Sequence, residues 1–227
     1  MSPTKIHWRA EFGQRLRTLW VAKMLGTITW IAAFFVGYFW VLRNPITQVT
    51  MMPITAFDRW VDFRPEALAL YASLWLYVSI APALLKNFAE LVSYGAATLV
   101  MSVVGLASFI VWPTAVPPFD VDWSQHPPGS LLEGIDASGN ACPSMHVAFA
   151  VFTGIWMERL LRDMQVAPSV RALSWIWCAG IVYSTLATRQ HVVVDVVAGA
   201  AVGGIIAALH LRALEGGIPK RAPAARE

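Results

Sequence analysis

A histidine and an aspartate four positions apart, His191 and Asp195, form the strongest chemical signal in the chain. In a helix, residues at this spacing share one face, so the carboxylate can accept the imidazole N–H. That contact would fix the tautomer and leave the other ring nitrogen free to attack an electrophile. Two alternatives stay open: a buried pair that only fixes helix packing, and a shared metal ion, for which the sequence offers no obvious third and fourth ligands.

A second candidate segment covers residues 142–146 and consists of Cys-Pro-Ser-Met-His. Proline is favoured at the first position of a helix, which predicts a helix that starts at Pro143, with free backbone amides that can bind an anion. Ser144 would add a hydroxyl donor and Met145 one of these amides. His146 would lie one turn inside the helix, and its alternative role is that of a packed core histidine.

Membrane helices must position these residues. Hydrophobic side chains make up 57% of the 227 residues and charged ones 14%, a balance too apolar for an ordinary soluble domain. About 20 apolar residues cross a bilayer core, and the chain has four clear runs of this kind and two shorter ones. We therefore predict an all-α, polytopic membrane bundle of about six helices. The predicted spans are residues 24–42, 67–85, 91–112, 143–157, 172–187 and 192–211.

The distribution of basic residues predicts the orientation of the bundle, because cytoplasmic loops hold the excess of Lys and Arg. With the N-terminus inside, only four of the 17 basic residues face outward, and the other 13 are cytoplasmic. Both termini are therefore predicted to be cytoplasmic and both candidate segments to open on the outer face. This topology explains the net charge of +3 without a nucleic-acid partner. The four outer basic residues are Arg43, Arg59, Arg64 and Arg189.

The chain is predicted to form one domain over residues 1–215, followed by a short disordered tail over residues 216–227. The loop of residues 113–142 leads directly into the second candidate segment, and loops of this length are usually functional or disordered. Three glycines of the last span are expected to let membrane helices approach closely and to have no chemical role. These are Gly199, Gly203 and Gly204.

Together the candidate groups have the composition of a phosphoryl site. Two imidazoles, a serine hydroxyl, a helix N-terminus and the guanidinium of Arg189 would meet on one side of the membrane. The donors would hold the phosphate oxygens while one imidazole attacks phosphorus and the other protonates the leaving oxygen. Arg59 and Arg64, in the first outer loop, are either further phosphate ligands or ordinary interfacial anchors.

Both segments resemble motifs of the type 2 phosphatidic acid phosphatase superfamily of membrane phosphohydrolases and phosphotransferases. Its second motif, Pro-Ser-Gly-His, is similar to residues 143–146, with Met145 in place of glycine. Its third motif, Ser-Arg-x5-His-x3-Asp, shares its core with His191 and Asp195. The resemblance implies a helical membrane enzyme that acts on a lipid phosphate or pyrophosphate.

Two departures from the superfamily pattern stand out. Thr185 occupies the arginine position of the third motif, and a basic residue follows later, at Arg189; this form resembles the branch that includes inositol phosphorylceramide synthases. The first motif, Lys-x6-Arg-Pro, should end the third span, but residues 112–119 contain no basic side chain. The positive charge must therefore come from Arg189, with Arg59 or Arg64 as further candidates.

The resemblance also implies a mechanism. His191, oriented by Asp195, would form a phosphohistidine, and His146 would protonate the leaving group and then activate the acceptor, with no metal or other cofactor. Water as the acceptor makes the enzyme a phosphohydrolase, which we favour because water is always present at such a site. A lipid or sugar hydroxyl as the acceptor would make it a phosphotransferase.

A third hypothesis is a non-catalytic transporter or scaffold in which the buried histidine and aspartate form a proton relay or a packing network. It does not explain why a Pro-Ser-x-His helix start should face the same membrane surface. The compact chain with few charges suggests a bacterial inner membrane, with the site facing the periplasm.

Overall fold

The computed structural model of the chain describes residues 4–119 and 139–216. Residues 217–227 of the predicted tail and most of the predicted outer loop, residues 120–138, lie outside these ranges. The elements are α1 (Thr4–Arg17), α2 (Trp20–Arg43), β1 (Thr50–Met51), α3 (Ala56–Trp60), a 3-10 turn (Pro65–Ala67), α4 (Leu68–Ala72), α5 (Leu74–Ala83), α6 (Phe88–Val111), β2 (Thr114–Ala115), α7 (Met145–Asp163), α8 (Pro168–Ala187) and α9 (Val193–Gly216).

Five helical segments of the described ranges are long and apolar enough to cross a bilayer, which confirms the predicted all-α membrane bundle. The predicted span of residues 143–157 differs from these five. It forms α7, a helix of 19 residues whose last six positions include four charged side chains. The five segments are Trp20–Arg43, Pro65–Ala83, Phe88–Val111, Pro168–Ala187 and Val193–Gly216.

Helix α7 lies at the centre of the bundle, where α5, α8 and α9 all pack against it. Phe152 is fully buried and Trp156 is only 1% exposed. A helix that is covered on several sides gains its stability from tertiary packing, so it can carry fewer apolar residues than a lipid-facing span.

Two glycines set the close approach of α9 to α7. A β-carbon at Gly199 would overlap the carbonyl oxygen of Ser144, and one at Gly203 would overlap the carbonyl oxygen of Ala148. The predicted packing role of these two glycines is confirmed, whereas a β-carbon at Gly204 would make only an ordinary contact with Val151, at 4.0 Å. The contact brings the N-terminus of α9 against that of α7, and with it the two candidate segments.

A polar cluster fastens α1 and α2 to the opposite end of the bundle. The buried Lys23 donates from Nζ to three carbonyl oxygens, including that of Ala83, the last residue of α5, at 3.0 Å and that of Leu85, two residues further on, at 2.7 Å. Such carbonyls have no partner within their own helix, so a cation is favourable there. The buried Arg15 forms an ion pair with Asp163 at 2.7 Å.

The Asp163 carboxylate links three elements, because it also pairs with Lys86 at 2.5 Å. Partial burial opposes its charge, but the hydrogen bonds and charges of Lys86 and Arg15 outweigh this and lower the pKa of Asp163 from its ordinary value of 3.8. A carboxyl whose folded-state pKa is lowered stabilises the fold above its ordinary pKa and loses that contribution as pH falls through the lowered value.

We expect Asp163→Asn to lower the melting temperature in detergent at neutral pH by about 2–4 °C, because the ion pairs of Asp163 with Arg15 of α1 and with Lys86 are lost. The difference from the wild type should disappear on acidification well below pH 3.8, where the wild-type carboxyl is also neutral. Asp62→Asn is the matched control, because its pair with Arg64 is largely exposed. An equal shift for both variants would contradict the role of Asp163.

Candidate active site

The N-terminus of α7 is built by Ser144 rather than by Pro143. The Ser144 hydroxyl accepts from the amide of Val147 at 3.3 Å and so caps a helix that begins at Met145. The prediction that the helix starts at Pro143 is therefore wrong by two residues. Pro143 follows a cis peptide bond and precedes the cap.

Ser144 and Met145 are both buried at the start of α7. Ser144 is fully buried, and its amide donates to the carbonyl oxygen of Asp195 at 3.1 Å. The sulfur of Met145 packs on Gly105 of α6, which has no side chain to obstruct it. Gly105 thus supplies the room that a methionine requires where the family motif has glycine. Any contact of Met145 with a phosphate would come from its backbone.

His146 occupies the first turn of α7 and is 9% exposed. Its ring stacks on Tyr71 with the centroids 4.0 Å apart and an angle of 18° between the planes. The ring also donates a hydrogen bond to the backbone of Tyr71. Its Nε2 is buried and has no hydrogen-bond partner within residues 4–119 and 139–216. This nitrogen can therefore exchange a proton with a bound group.

His191 and Asp195 come together by a route that differs from the predicted one. His191 lies in the turn before α9, and Asp195 is the third residue of that helix. Their Nδ1 and Oδ2 atoms are 3.5 Å apart, longer than a normal hydrogen bond, because Oδ2 accepts from the Val192 amide at 3.1 Å. The prediction that both residues share a helix face is wrong. A carboxylate in the first helical turn that reaches back toward the preceding turn brings them together.

The turn that carries His191 is fixed by the end of α8. The carbonyl oxygen of Thr185 accepts from the amides of Gln190 and His191, each at 3.1 Å. Thr185 is fully buried, and its hydroxyl donates to the backbone of its own helix. Thr185 therefore positions the histidine through its main chain and supplies no charge in place of the arginine of the family motif.

Arg189 ties this turn to the first outer connection. Its two terminal nitrogens donate to the carbonyl oxygens of Asp58 and Val61, each at 2.6 Å. The Asp58 carboxylate, which is 2% exposed, accepts from the amide of Val193 at the start of α9 at 2.8 Å. The contacts of Arg189 and of Asp58 together fix the position of the turn that leads into α9. A guanidinium has five N–H donors, so Arg189 keeps others for a ligand.

Asp58 was not among the candidates from the sequence. Residues 55–58 are Thr-Ala-Phe-Asp, and the threonine and aspartate form a capping box at the start of α3. That local signal can be recognised in the sequence. The bond to α9 joins residues 135 positions apart, and no local pattern indicates it.

Residues 112–119, where the family's basic motif is expected, contact the residues that precede α7. Thr114 and Ala115 of β2 pair in parallel with Thr50 and Met51 of β1. The hydroxyl oxygen of Thr114 accepts from the amide of Cys142 at 2.8 Å. This segment therefore supports the second candidate segment structurally.

One cavity contains both histidines. It has a volume of about 200 Å³ and lies at the end of the bundle where α7 and α9 begin. Most of its wall is aromatic or aliphatic, and Asn140 adds a buried amide that donates to the Tyr38 carbonyl oxygen at 3.1 Å. No group of three or more His, Cys, Asp or Glu side chains in the described ranges is placed to hold a metal ion. The cavity wall includes Tyr71, Asn140, Met145, His146 and His191.

Arg59 and Arg64 lie at the same end of the bundle but do not line this cavity. Both side chains are exposed, and that of Arg64 pairs with Asp62 at 3.4 Å. The amide of Arg64 donates to the carbonyl oxygen of Ala187, so its backbone fastens the outer connection to α8. Arg189 does not line the cavity either, but its contacts with the backbone of residues 58–61 hold it in the turn that carries His191. The structure therefore separates Arg59 and Arg64 from the histidines that the sequence analysis grouped with them.

The fold and the cavity define a helical membrane protein with two histidines and a buried carboxylate at one end. A family model described as the PAP2 superfamily matches residues 59–209, about two thirds of the chain and all of these groups. The chain belongs to this superfamily of phosphatases, and membership indicates a phosphorylated lipid substrate in the membrane. Comparisons with curated proteins and with solved structures found no match.

Proposed function

We propose that the protein is a membrane lipid-phosphate phosphohydrolase that acts through a phosphohistidine on His191. The observation that carries this proposal is the shared cavity, in which the imidazoles of His146 and His191 both line one space. Superfamily membership supports the reaction class. The headgroup would be a phosphate or a pyrophosphate.

In this mechanism Nδ1 of His191 faces Asp195, so Nε2 attacks phosphorus in line with the leaving oxygen. Asp195 is completely buried and stabilises the positive charge that the ring gains. The leaving alkoxide takes a proton from Nε2 of His146. Water then attacks the phosphohistidine, His146 takes back the proton, and inorganic phosphate leaves.

A bound phosphate also explains how a buried imidazole can act as an acid. Burial in an apolar wall disfavours the charged form of His146, whereas the negative charge of an incoming phosphate favours it. The amides that follow Ser144 at the start of α7 and the remaining donors of Arg189 would hold the phosphate oxygens.

The proposed topology places this end of the bundle on the outer face of a bacterial inner membrane, with both termini cytoplasmic. The excess of basic residues in the other connections supports this orientation. We propose that Arg59 and Arg64, which are exposed at this end, attract the headgroup by their charge without touching it.

The decisive experiment uses the purified protein, a radiolabelled lipid phosphate and a set of hydroxyl acceptors. Release of inorganic phosphate alone supports hydrolysis. Appearance of the label in a new lipid supports transfer. A labelled protein whose phosphate is lost in acid but retained in alkali would identify a phosphohistidine, and its absence under single-turnover conditions would contradict the intermediate.

The second candidate function is a lipid phosphotransferase. Two observations favour it. The segments Ser184-Thr185 and Arg189-Gln190-His191 resemble the third motif of the branch that includes inositol phosphorylceramide synthases. The cavity wall is also largely apolar, which suits a lipid acceptor. Chemistry up to the phosphohistidine is the same, so the acceptor experiment separates the two functions.

We expect Arg189→Lys to raise KM by about tenfold, because an ammonium group carries the charge but cannot bridge two carbonyl oxygens and still face a phosphate. Arg64→Ala is the matched control and should have a small effect that disappears at high salt, as expected for an exposed charge. Steady-state kinetics at two ionic strengths measure both effects. A larger loss for Arg64→Ala would reverse the assignment.

A further inference from the structure

A long apolar groove adjoins the cavity that contains the histidines. It lies between α2, α5 and α6 and has a volume of about 330 Å³. Phe34, Trp75 and Phe149 line both the groove and the cavity. Three shared wall residues make the two spaces neighbours along the same side of α2.

The two spaces together cover most of the length of α2. Ala22 lines the far end of the groove and Phe39 lines the cavity. At 1.5 Å per residue, these positions are about 25 Å apart along the helix. The hydrocarbon core of a bilayer is about 30 Å thick, so each leaflet contributes about half of this. A chain that follows the groove from the histidines would therefore pass the bilayer midplane.

The groove has the chemistry of a hydrocarbon site. Its wall consists mainly of aliphatic and aromatic side chains, and the hydroxyl of Thr98 donates to the carbonyl oxygen of Gly95 at 2.9 Å rather than to the groove. Two glycines, Gly26 and Gly95, lie on the wall where larger side chains would occupy the space. Such a surface favours a hydrocarbon chain over a polar headgroup.

We propose that this groove binds the hydrocarbon chain of the lipid phosphate substrate and selects chains long enough to pass the bilayer midplane. The inference rests on the proposed function, because the phosphate of the same molecule must lie between His146 and His191. A polyisoprenoid chain and a long acyl chain share the required chemistry.

The glycines offer a direct test. A β-carbon at Gly26 or at Gly95 would meet no atom within 4 Å, so leucine at either position fills the groove without a backbone clash. Ala96→Leu is the matched control, because Ala96 is the exposed neighbour of Gly95 on α6 and does not line the groove.

The three variants and the wild type would be assayed with a long-chain polyprenyl phosphate, a long-chain diacylglycerol phosphate and a water-soluble short-chain alkyl phosphate. We expect Gly26→Leu and Gly95→Leu to raise KM about tenfold for a long-chain substrate and to leave the short-chain substrate unaffected. Ala96→Leu should behave as the wild type. The long-chain substrate whose KM rises more in the two glycine variants shows whether the groove binds a polyisoprenoid chain or an acyl chain.

An unchanged KM for both long-chain substrates, or an equal loss with the short-chain phosphate, would overturn the groove while leaving the phosphohydrolase intact. If the wild type releases phosphate from none of the three, the proposed function fails and the groove proposal fails with it.

A polyprenyl phosphate with a photoreactive diazirine at the chain end gives a readout without turnover. It should label α2 near Gly26 or α6 near Gly95, and labelling confined to other helices would contradict the proposal.

Discussion

Replacement of His191 by alanine is expected to reduce phosphate release from a lipid phosphate by at least about 10⁴-fold, because the variant has no atom to accept the phosphoryl group. His191 lines the cavity, is held by the Thr185 carbonyl oxygen and has a buried carboxylate behind it. His146, the other histidine on this cavity wall, is stacked on Tyr71 and does not take its place. Initial rates with purified protein in detergent measure the effect.

His210→Ala is the matched control for this loss. His210 lies near the far end of α9, where its Nε2 is 2.8 Å from the hydroxyl of Ser93, and it does not line the cavity. The control should keep activity close to that of the wild type. Activity that survives in His191→Ala, or an equal loss in both variants, would remove His191 from the chemistry.

Replacement of His146 by alanine is expected to slow the reaction by about 10²–10⁴-fold with an alkyl phosphate, because the leaving alkoxide would depart without a proton. An aryl phosphate such as p-nitrophenyl phosphate has a leaving group that is stable as an anion. The His146 variant should therefore lose much less activity with the aryl substrate. The ratio of the two rates, wild type against variant, is the measurement.

The dependence on the leaving group separates an acid from a residue that only supports the cavity. A structural defect at His146 would slow both esters equally, as His191→Ala is expected to do. Equal losses for the two esters in His146→Ala would therefore contradict its assignment as the acid, even if the total loss were large.

Much of the fold could be predicted from the sequence because the signals are local. Runs of apolar residues indicated the helices, and Gly199 and Gly203 indicated a close helix contact. The prediction was less accurate for α7, since a helix enclosed by other helices need not be as apolar as one in contact with lipid. The helix start was misplaced because Pro143 and Ser144 are both residues typical of a helix N-terminus. Here the serine side chain forms the cap, so the helix begins after it.

The candidate site was predicted in part. The spacing of the two motifs identified His146, His191 and Asp195, and the structure places both histidines on one cavity wall with Asp195 close to His191. The sequence did not indicate the aromatic support from Tyr71 or the carboxylate of Asp58, which reach their partners across long stretches of chain.

By itself, the sequence determined the class of fold, the family and the three residue types at the centre of the proposed chemistry, because these depend on apolar runs and on short motifs. Only the tertiary structure decided how the side chains are used. Ser144 caps a helix, Met145 packs on Gly105, and Arg189 donates two hydrogen bonds to the backbone of residues 58–61. Each outcome depends on which distant segment packs beside a residue, and the residue's own neighbours in the chain do not specify that.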